Sequence, residues 1–366
     1  MSSRGMVWEK KIASHLRALG YFTRSNLRIS TTGGQQDFVE IDLIGITINP
    51  LKLTKLIGEC KSGRARTGDL FRLLGLALDF NADKVFYAKK NISGELIKYF
   101  YAKFGLSGKQ VAFITKNSDL KSWEFENLIE LASYNSIFNI SRIKNLFEDN
   151  NKIKFLISVI RFFQGSYWIM EATENIKKFP GVFNKLAELL ILEENEEKIK
   201  ELKKIFFEAI ILFSISVLTI VSEYFHYSEE ELETLLREKI IFSPFSEEEL
   251  LRLERKINDF LRLNCGNLTK SIELTSKPFY IDYIRELVWR IKKSNVNLTL
   301  LLFELEKVLW TALGYELELQ KEEALRKQIQ NIINISLRLT SMDSFQIKSL
   351  EEKLGLSQVL KIPFLN

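Results

Sequence analysis

Two cysteines, two histidines and five prolines are spread over 366 residues. Cys60 and Cys265 are too few and too far apart in sequence for a disulfide framework or a zinc-ligand cluster, which points to a reducing compartment, the cytoplasm. His15 stands on a different helical face from Glu9, and His226 closes an apolar helix, so neither reads as a catalytic group or a ligand. Beyond about residue 120, proline interrupts only at Pro180, Pro244, Pro278 and Pro363, near turns or helix starts, leaving long stretches free to be helical. Fixed-period repeats and low-complexity tracts are lacking, and the stretch MSSRGMVWEKK has no apolar core of a signal peptide. Long hydrophobic runs are also scarce. The longest, IFFEAIILFSISVLTIVSEYF from Ile205 to Phe225, has an uncharged part, Ala209 to Ser222, bracketed by Glu208 and Glu223. A membrane span needs roughly 20 apolar residues, so this run reads as a buried core helix and membrane attachment is not expected.

What is abundant is apolar and aromatic matter. A hydrophobic content of 46% with 27 phenylalanines implies globular folding, and the length accommodates two or three domains. Charge is uneven along the chain. Residues 1–120 hold 19 Lys and Arg against 10 Asp and Glu, whereas the remainder holds 33 against 37. A basic first third suits a polyanionic partner docking there, and equally suits an ordinary solvated basic surface.

The periodicity changes with the charge. Residues 6–19 place Trp8, Ile12, Leu16 and Leu19 on one helical stripe, with Gly20 at a C-cap position. Strands are predicted over 21–30, 37–48, 53–61, 84–89 and 110–115, with helices over 67–80 and 94–104; the TTGGQQ loop (31–36) reads as a connector and Asn49-Pro50 as a turn. This order implies a mixed sheet flanked by helices. Beyond about residue 120 helical periodicity takes over, at 142–163, 181–192, 195–226, 229–241, 246–263, 278–293, 298–312 and 317–339, with a capping-box pattern at Ser246 and Glu249. The predicted layout is an α/β domain over 1–120 and an all-α region over 121–366, folding as separate units that meet near residues 116–140. The charge run 193–204 reads as a solvated helix face, and the five tryptophans as core residues.

Within the predicted strands the segment EIDLIGITINPLKLTKLIGECKSG carries charges that burial would disfavour unless they are paired or bound to a metal. Alternation puts Phe38, Glu40, Asp42 and Ile44 on one face of the first strand, and Lys55, Ile57, Glu59 and Lys61 on one face of the second. The turn makes these strands antiparallel neighbours, bringing Asp42 toward Glu59 and Lys61, while Glu9 shares its helix face with Ile12, Ala13 and Leu16. Oxygen ligands from Asp42, Glu59 and the Cys60 backbone carbonyl suit Mg²⁺, and Lys61 is then placed to stabilise an attacking water and the charge developing on a phosphate. The same spacing also fits exposed strand faces with a Lys61 ion pair. Arg4, Lys10, Arg24 and Arg28, with Arg64 and Arg66 after the Glu-x-Lys strand, are candidate contacts to nucleic-acid phosphates.

The ordered combination of RGMVWEKKIASHLRALGYFTRS, EIDLIG, LIGECKSG and DLFRLLGLALDFNADKVFYAK resembles the PD-(D/E)XK nuclease superfamily, in particular its Mrr-like restriction endonucleases and archaeal Holliday-junction resolvases. The resemblance covers about the first third of the chain. It implies a restriction-endonuclease-like αβββαβ core and Mg²⁺-dependent (or Mn²⁺-dependent) hydrolysis of phosphodiester bonds, with DNA the expected substrate. Asp42 and Glu59 would bind the metal, Lys61 would help activate water, and Glu9 would assist. It also implies a place among host-defence effectors. The helical region, which the resemblance does not cover, is expected to serve a homodimer, nucleic acid or a protein partner. The alternative is a catalytically inactive protein of the same fold that binds nucleic acid or a partner.

Overall fold

The computed structural model of the chain describes residues 3–30, 37–61, 67–89, 92–115, 120–123, 132–242, 247–265, 273 and 278–360. The expectations attached to Arg64, Arg66, the TTGGQQ loop, Pro244, Ser246 and Pro363 lie outside the described residues, as does the side chain of Arg4.

Helix α1 (Ser3–Ala18) buries Trp8, Ile12, Ala13 and Leu16, spaced to line one face. It ends where Gly20 takes a φ of +85°, letting the Tyr21 N–H reach the Leu16 carbonyl and the Gly20 N–H that of Arg17. Leu19 is not on the buried stripe: it falls beyond the last helical turn and is exposed. The chain then forms β1 (Phe22–Ser30), β2 (Asp37–Asn49), β3 (Lys52–Lys61), α2 (Thr67–Asp79), β4 (Lys84–Lys89), α3 (Gly94–Leu106) and β5 (Gln110–Ile114). The five strands make one mixed sheet in sequence order, β1-β2-β3-β4-β5. The first three are antiparallel, with Asn49 opposite Lys52 across a two-residue turn; β3, β4 and β5 are parallel, so α2 and α3 are the crossovers that parallel pairing requires.

The helical region runs through α4 (Tyr134–Ile137), α5 (Ile140–Leu146), α6 (Asn150–Arg161), α7 (Tyr167–Ile169), α8 (Ala172–Leu192), α9 (Glu196–Glu223), α10 (Glu229–Leu236), α11 (Glu247–Cys265), α12 (Ile281–Lys293), α13 (Leu298–Thr311), α14 (Glu323–Arg338), α15 (Ser344–Leu354) and α16 (Leu356–Leu360). Pro180 lies inside α8 and not at its start. The helix α15, unforeseen from periodicity, begins at a capping box between Asp343 and Gln346. A π-helical turn, Phe162–Ser166, follows α6 and presses on β1 so closely that a Cβ on Gly165 would lie 2.6 Å from the Arg28 carbonyl oxygen. Only glycine allows that approach. Helix α9 is the axis of the region. By length and apolar content it matches a membrane-crossing helix, yet its apolar stretch is wholly enclosed by the fold.

One sheet face receives α1 in a small core with Leu43, Leu56, Phe86, Ala88 and Ile114. The opposite face, with Ile44, Ile46, Ile48, Ile57 and Val85, belongs to a core that continues through α2 into α8, α9, α13 and α14. The expected pair of separately folding units is therefore not how the core is built: residues from both sides of position 120 bury one another. Polar contacts reinforce the junction. The Thr299 hydroxyl accepts from the Ile48 N–H (2.7 Å) and donates to its carbonyl (3.0 Å), and Ser222 donates to the Asn49 carbonyl (2.7 Å). Four charges are sealed inside it. Arg24 pairs with Glu208 of α9 (2.8 Å) and Glu306 of α13 (2.7 Å), Arg17 pairs with Glu306 (2.7 Å), and none of these side chains has exposed surface. The Arg17 guanidinium also donates to the Thr23 hydroxyl at 2.9 Å and lies over the Trp123 ring.

Candidate active site

The antiparallel ladder between β2 and β3 runs from Asn49–Lys52 to Leu43–Gly58 and stops. Continued by one step it would set Asp42 against Glu59, and by a second step Ile41 against Cys60. Instead the Cys60 N–H donates to a carboxylate oxygen of Asp42 at 2.6 Å. The strands thus part at this point, and an aspartate side chain takes over a hydrogen bond that backbone would otherwise make. The parting opens the end of the sheet at the residues where β3 turns acidic. On its other edge β3 remains paired with β4 through Lys61, with Glu59 opposite Tyr87.

Glu59 shares the face of Ile57, next to Asp42 beyond the Ile44–Ile57 pair, and is 1% exposed. Its carboxylate accepts from Lys61 Nζ at 2.6 Å, and Arg72 of α2 grips both of its oxygens through one nitrogen. Lys61 also lies 3.7 Å from Asp69, in the first turn of α2. Trp8 donates from its ring nitrogen to the Ala88 carbonyl at 3.4 Å, which docks the beginning of α1 on the same end of the sheet and brings the buried Glu9 with it.

The electrostatics follow from this crowding. Asp42 is pushed up to about 7 by burial first and the neighbouring Glu59 charge second, against the opposing pull of the Cys60 N–H, Lys61 and Arg72. Glu9 is also raised to about 7, by burial and then by Asp42, Glu40 and Glu59. Burial pushes the Cys60 thiol well up, helped by the same acids, so it is a protonated, non-nucleophilic group. Lys61 shifts upward: burial opposes its charge, and the hydrogen bond and charge of Glu59 with the charge of Asp69 prevail. Excess negative charge held in low dielectric is a setting that a divalent cation relieves.

Among the described residues no group of three or more His, Cys, Asp or Glu side chains is arranged to hold a metal ion. Asp42 and Glu59 provide two hard carboxylates, and Mg²⁺ commonly takes one or two from protein, with waters and substrate phosphate completing its octahedron. The donor set fits that ion, with Glu59 already engaged by two cations.

The remaining predicted contacts scatter. Arg24 is a correction: it is fully buried, and its guanidinium is held by Glu208 and Glu306, so no phosphate reaches it. Arg28 is exposed and Lys10 half-buried. His15 accepts from the Lys121 N–H at 2.9 Å through Nδ1, a structural role. Three residues at the site escape a reading of short motifs. Asp69 and Arg72 extend the α2 stripe of Leu73, Leu76, Ala77 and Phe80 toward the helix start, and the change from apolar to charged along one stripe is the signal that betrays them. Tyr87 is buried opposite Glu59, and its hydroxyl has no hydrogen-bond partner. In sequence it is one aromatic in an apolar strand, with nothing to distinguish it.

Comparison with known proteins adds no relative: no family model, no curated protein and no solved structure matches the chain.

Proposed function

We propose that this protein is a metal-dependent nuclease of restriction-endonuclease-like fold, hydrolysing phosphodiester bonds in nucleic acid, with DNA the favoured substrate. The observation that carries the reading is the convergence of Asp42, Glu59 and Lys61 where β2 and β3 part, at one open end of the mixed sheet, with Glu9 brought to the same end by α1 from the other face. Asp42 and Glu59 would hold Mg²⁺ or Mn²⁺, with the Cys60 carbonyl between them. When bound, such a cation supplies Lewis-acid activation of the phosphate and a more acidic water.

The chain's own residues do the rest. Lys61, kept charged by Glu59 and Asp69, stabilises negative charge arising on the attacking oxygen and the phosphate. Glu9, raised to about 7, is poised to exchange a proton near neutrality. The buried Tyr87 hydroxyl has a free O–H to offer an oxygen in the site. Outside it, the excess of Lys and Arg in residues 1–120 favours a polyanion. One observation favours the alternative, a binding protein without activity: Arg72 occupies both oxygens of Glu59 and competes with any metal there.

The test is cleavage of linear duplex, junction and single-stranded DNA and of RNA, with Mg²⁺, Mn²⁺ or EDTA. Lys61→Ala is expected to lower the rate about 10²–10³-fold with little change in nucleic-acid affinity, because the group acts mainly on the transition state. Absence of cleavage by the wild type in either metal, across the whole panel, supports the binding protein instead. Cleavage at full rate by Lys61→Ala removes Lys61 from the chemistry.

A further inference from the structure

At the opposite end of β3 from Glu59 and Lys61, a cavity of about 600 Å³ opens between the β2–β3 hairpin and helices α7, α8 and α9. That volume falls within the range of small-molecule sites. Part of its wall is fixed by hydrogen bonds. Asn175, 3% exposed, donates from its side-chain nitrogen to the Tyr167 carbonyl at 2.9 Å. That bond fixes which way the amide faces and leaves its Oδ1 without a partner. Beside it, Lys55 donates from Nζ to the carbonyl of the next residue, Trp168, at 3.1 Å. Lys55 and Asn175 therefore donate to consecutive carbonyls, and both residues line the cavity. Lys55 uses one of its three N–H bonds on Trp168, and Asp83 accepts from its backbone N–H while pairing with Lys52 at 3.3 Å. At the exposed rim stand Glu171 and Glu223, with Lys239. Apolar surface from Ile46, Phe80 and Ile215 forms the floor.

We infer that this cavity binds a small zwitterion, of amino-acid to dipeptide size with an apolar side chain, whose carboxylate meets Lys55 and whose ammonium meets the rim carboxylates Glu171 and Glu223. An anion alone would face Glu171 and Glu223, and a cation alone would face Lys55. A molecule carrying both charges satisfies each, and its apolar side chain covers the floor. Burial holds Lys55 down to about 8 against the pull of Asp83 and Glu223, and Glu223 is raised by burial and by Glu171 against the pull of Lys239 and Lys55. The inference is independent of the nuclease reading, because none of these residues belongs to that site.

The test uses the full chain and leucyl-leucine as probe, with binding followed by isothermal calorimetry and by thermal shift. Leucyl-leucine is expected to bind, and either N-acetylation or C-amidation is expected to weaken it about tenfold to a hundredfold, the range for losing one charged hydrogen bond. Ala172→Trp, a large side chain at a lining position, is expected to fill the cavity and abolish binding. Glu223→Gln, at the exposed rim, is expected to weaken it and guards against misfolding of the first variant. Equal binding of the capped dipeptides overturns the inference. So does stronger binding of the uncharged nucleosides uridine or adenosine, or binding unchanged in both variants. Absence of binding by leucine, phenylalanine and leucyl-leucine alike also overturns it.

Discussion

Replacing Asp42 by asparagine is expected to stabilise the protein while removing its proposed activity. The sign comes from the raised pKa. In the unfolded chain this carboxyl ionises near its ordinary value of 3.8, whereas in the folded protein it does so at about 7. An acid with a raised folded pKa weakens the fold when ionised. The penalty is absent below about pH 4, grows as the pH rises toward 7, and levels off above the folded value. One pKa unit corresponds to about 1.4 kcal/mol, so the full shift sets an upper bound on the order of 4 kcal/mol. Asparagine retains an oxygen to accept from the Cys60 N–H, so the hydrogen bond that closes the gap between the strands is preserved. Removing the charge also relieves Glu9, for which Asp42 is the leading charged neighbour raising its pKa.

The assay is urea unfolding of wild type and Asp42→Asn in EDTA, at about pH 4 and about pH 8, where the linkage is respectively nearly absent and nearly complete. Asp42→Asn should match the wild type at the acid end and exceed it by a few kcal/mol at the alkaline end. Adding Mg²⁺ or Mn²⁺ should narrow the gap at the alkaline end, because a bound cation stabilises only the wild type. A variant that is less stable at both pH values, or more stable by the same amount at both, would refute the reasoning: either outcome means that burial of an ionised Asp42 is not what the site tolerates for its function.

Glu208→Ala should destabilise the protein by about 3–5 kcal/mol, the usual result of stranding one member of a buried pair, and Arg24→Met combined with Glu208→Leu should recover much of it by thermal or urea unfolding. Arg72→Met should raise apparent Mn²⁺ affinity about tenfold in calorimetry, because the Glu59 oxygens lose the cation that grips them; unchanged affinity would separate Glu59 from the metal. Limited proteolysis should give no stable fragment ending between residues 116 and 140, since the sheet and helices share one core; recovery of a folded fragment ending there would restore the two-unit view.

Much of the sheet was legible because strand signals are local. The alternation in DFVEIDLIGITI and the Asn49-Pro50 turn fix a hairpin whose register sets Asp42 near Glu59. The helices after residue 120 were legible as helices for the same reason, with bounds that shift by a turn where π-helical turns follow α6 and α10. What periodicity could not reveal is what each surface faces. Arg24 reads as a basic residue in a basic segment, and only the fold supplies Glu208 and Glu306, from parts of the chain far away in sequence. The same gap hid Arg72 and Tyr87, whose places beside Glu59 are set by crossover geometry and not by spacing.

These buried partners explain why a charged strand and a charged break in a hydrophobic helix occur in one chain. Glu208 reads in sequence as the charged border of an apolar core helix, and Arg24 as a phosphate contact. Together they are two halves of a lock between β1 and α9. A buried ion pair contributes little net stability compared with an apolar pair of equal shape, but it penalises every arrangement in which one partner lacks the other. The sheet and the helical region are thus held in one relative placement by groups that neither part can bury alone. At the other end of the sheet the charges follow a different rule. Arg24 and Glu306 neutralise each other, whereas Asp42 and Glu9 are buried with their pKa values raised, short of compensating charge. Charges that a fold encloses and balances serve its architecture. Charges that it encloses without balancing weaken it, and that is what the raised Asp42 adds to the proposal of a metal held by Asp42 and Glu59.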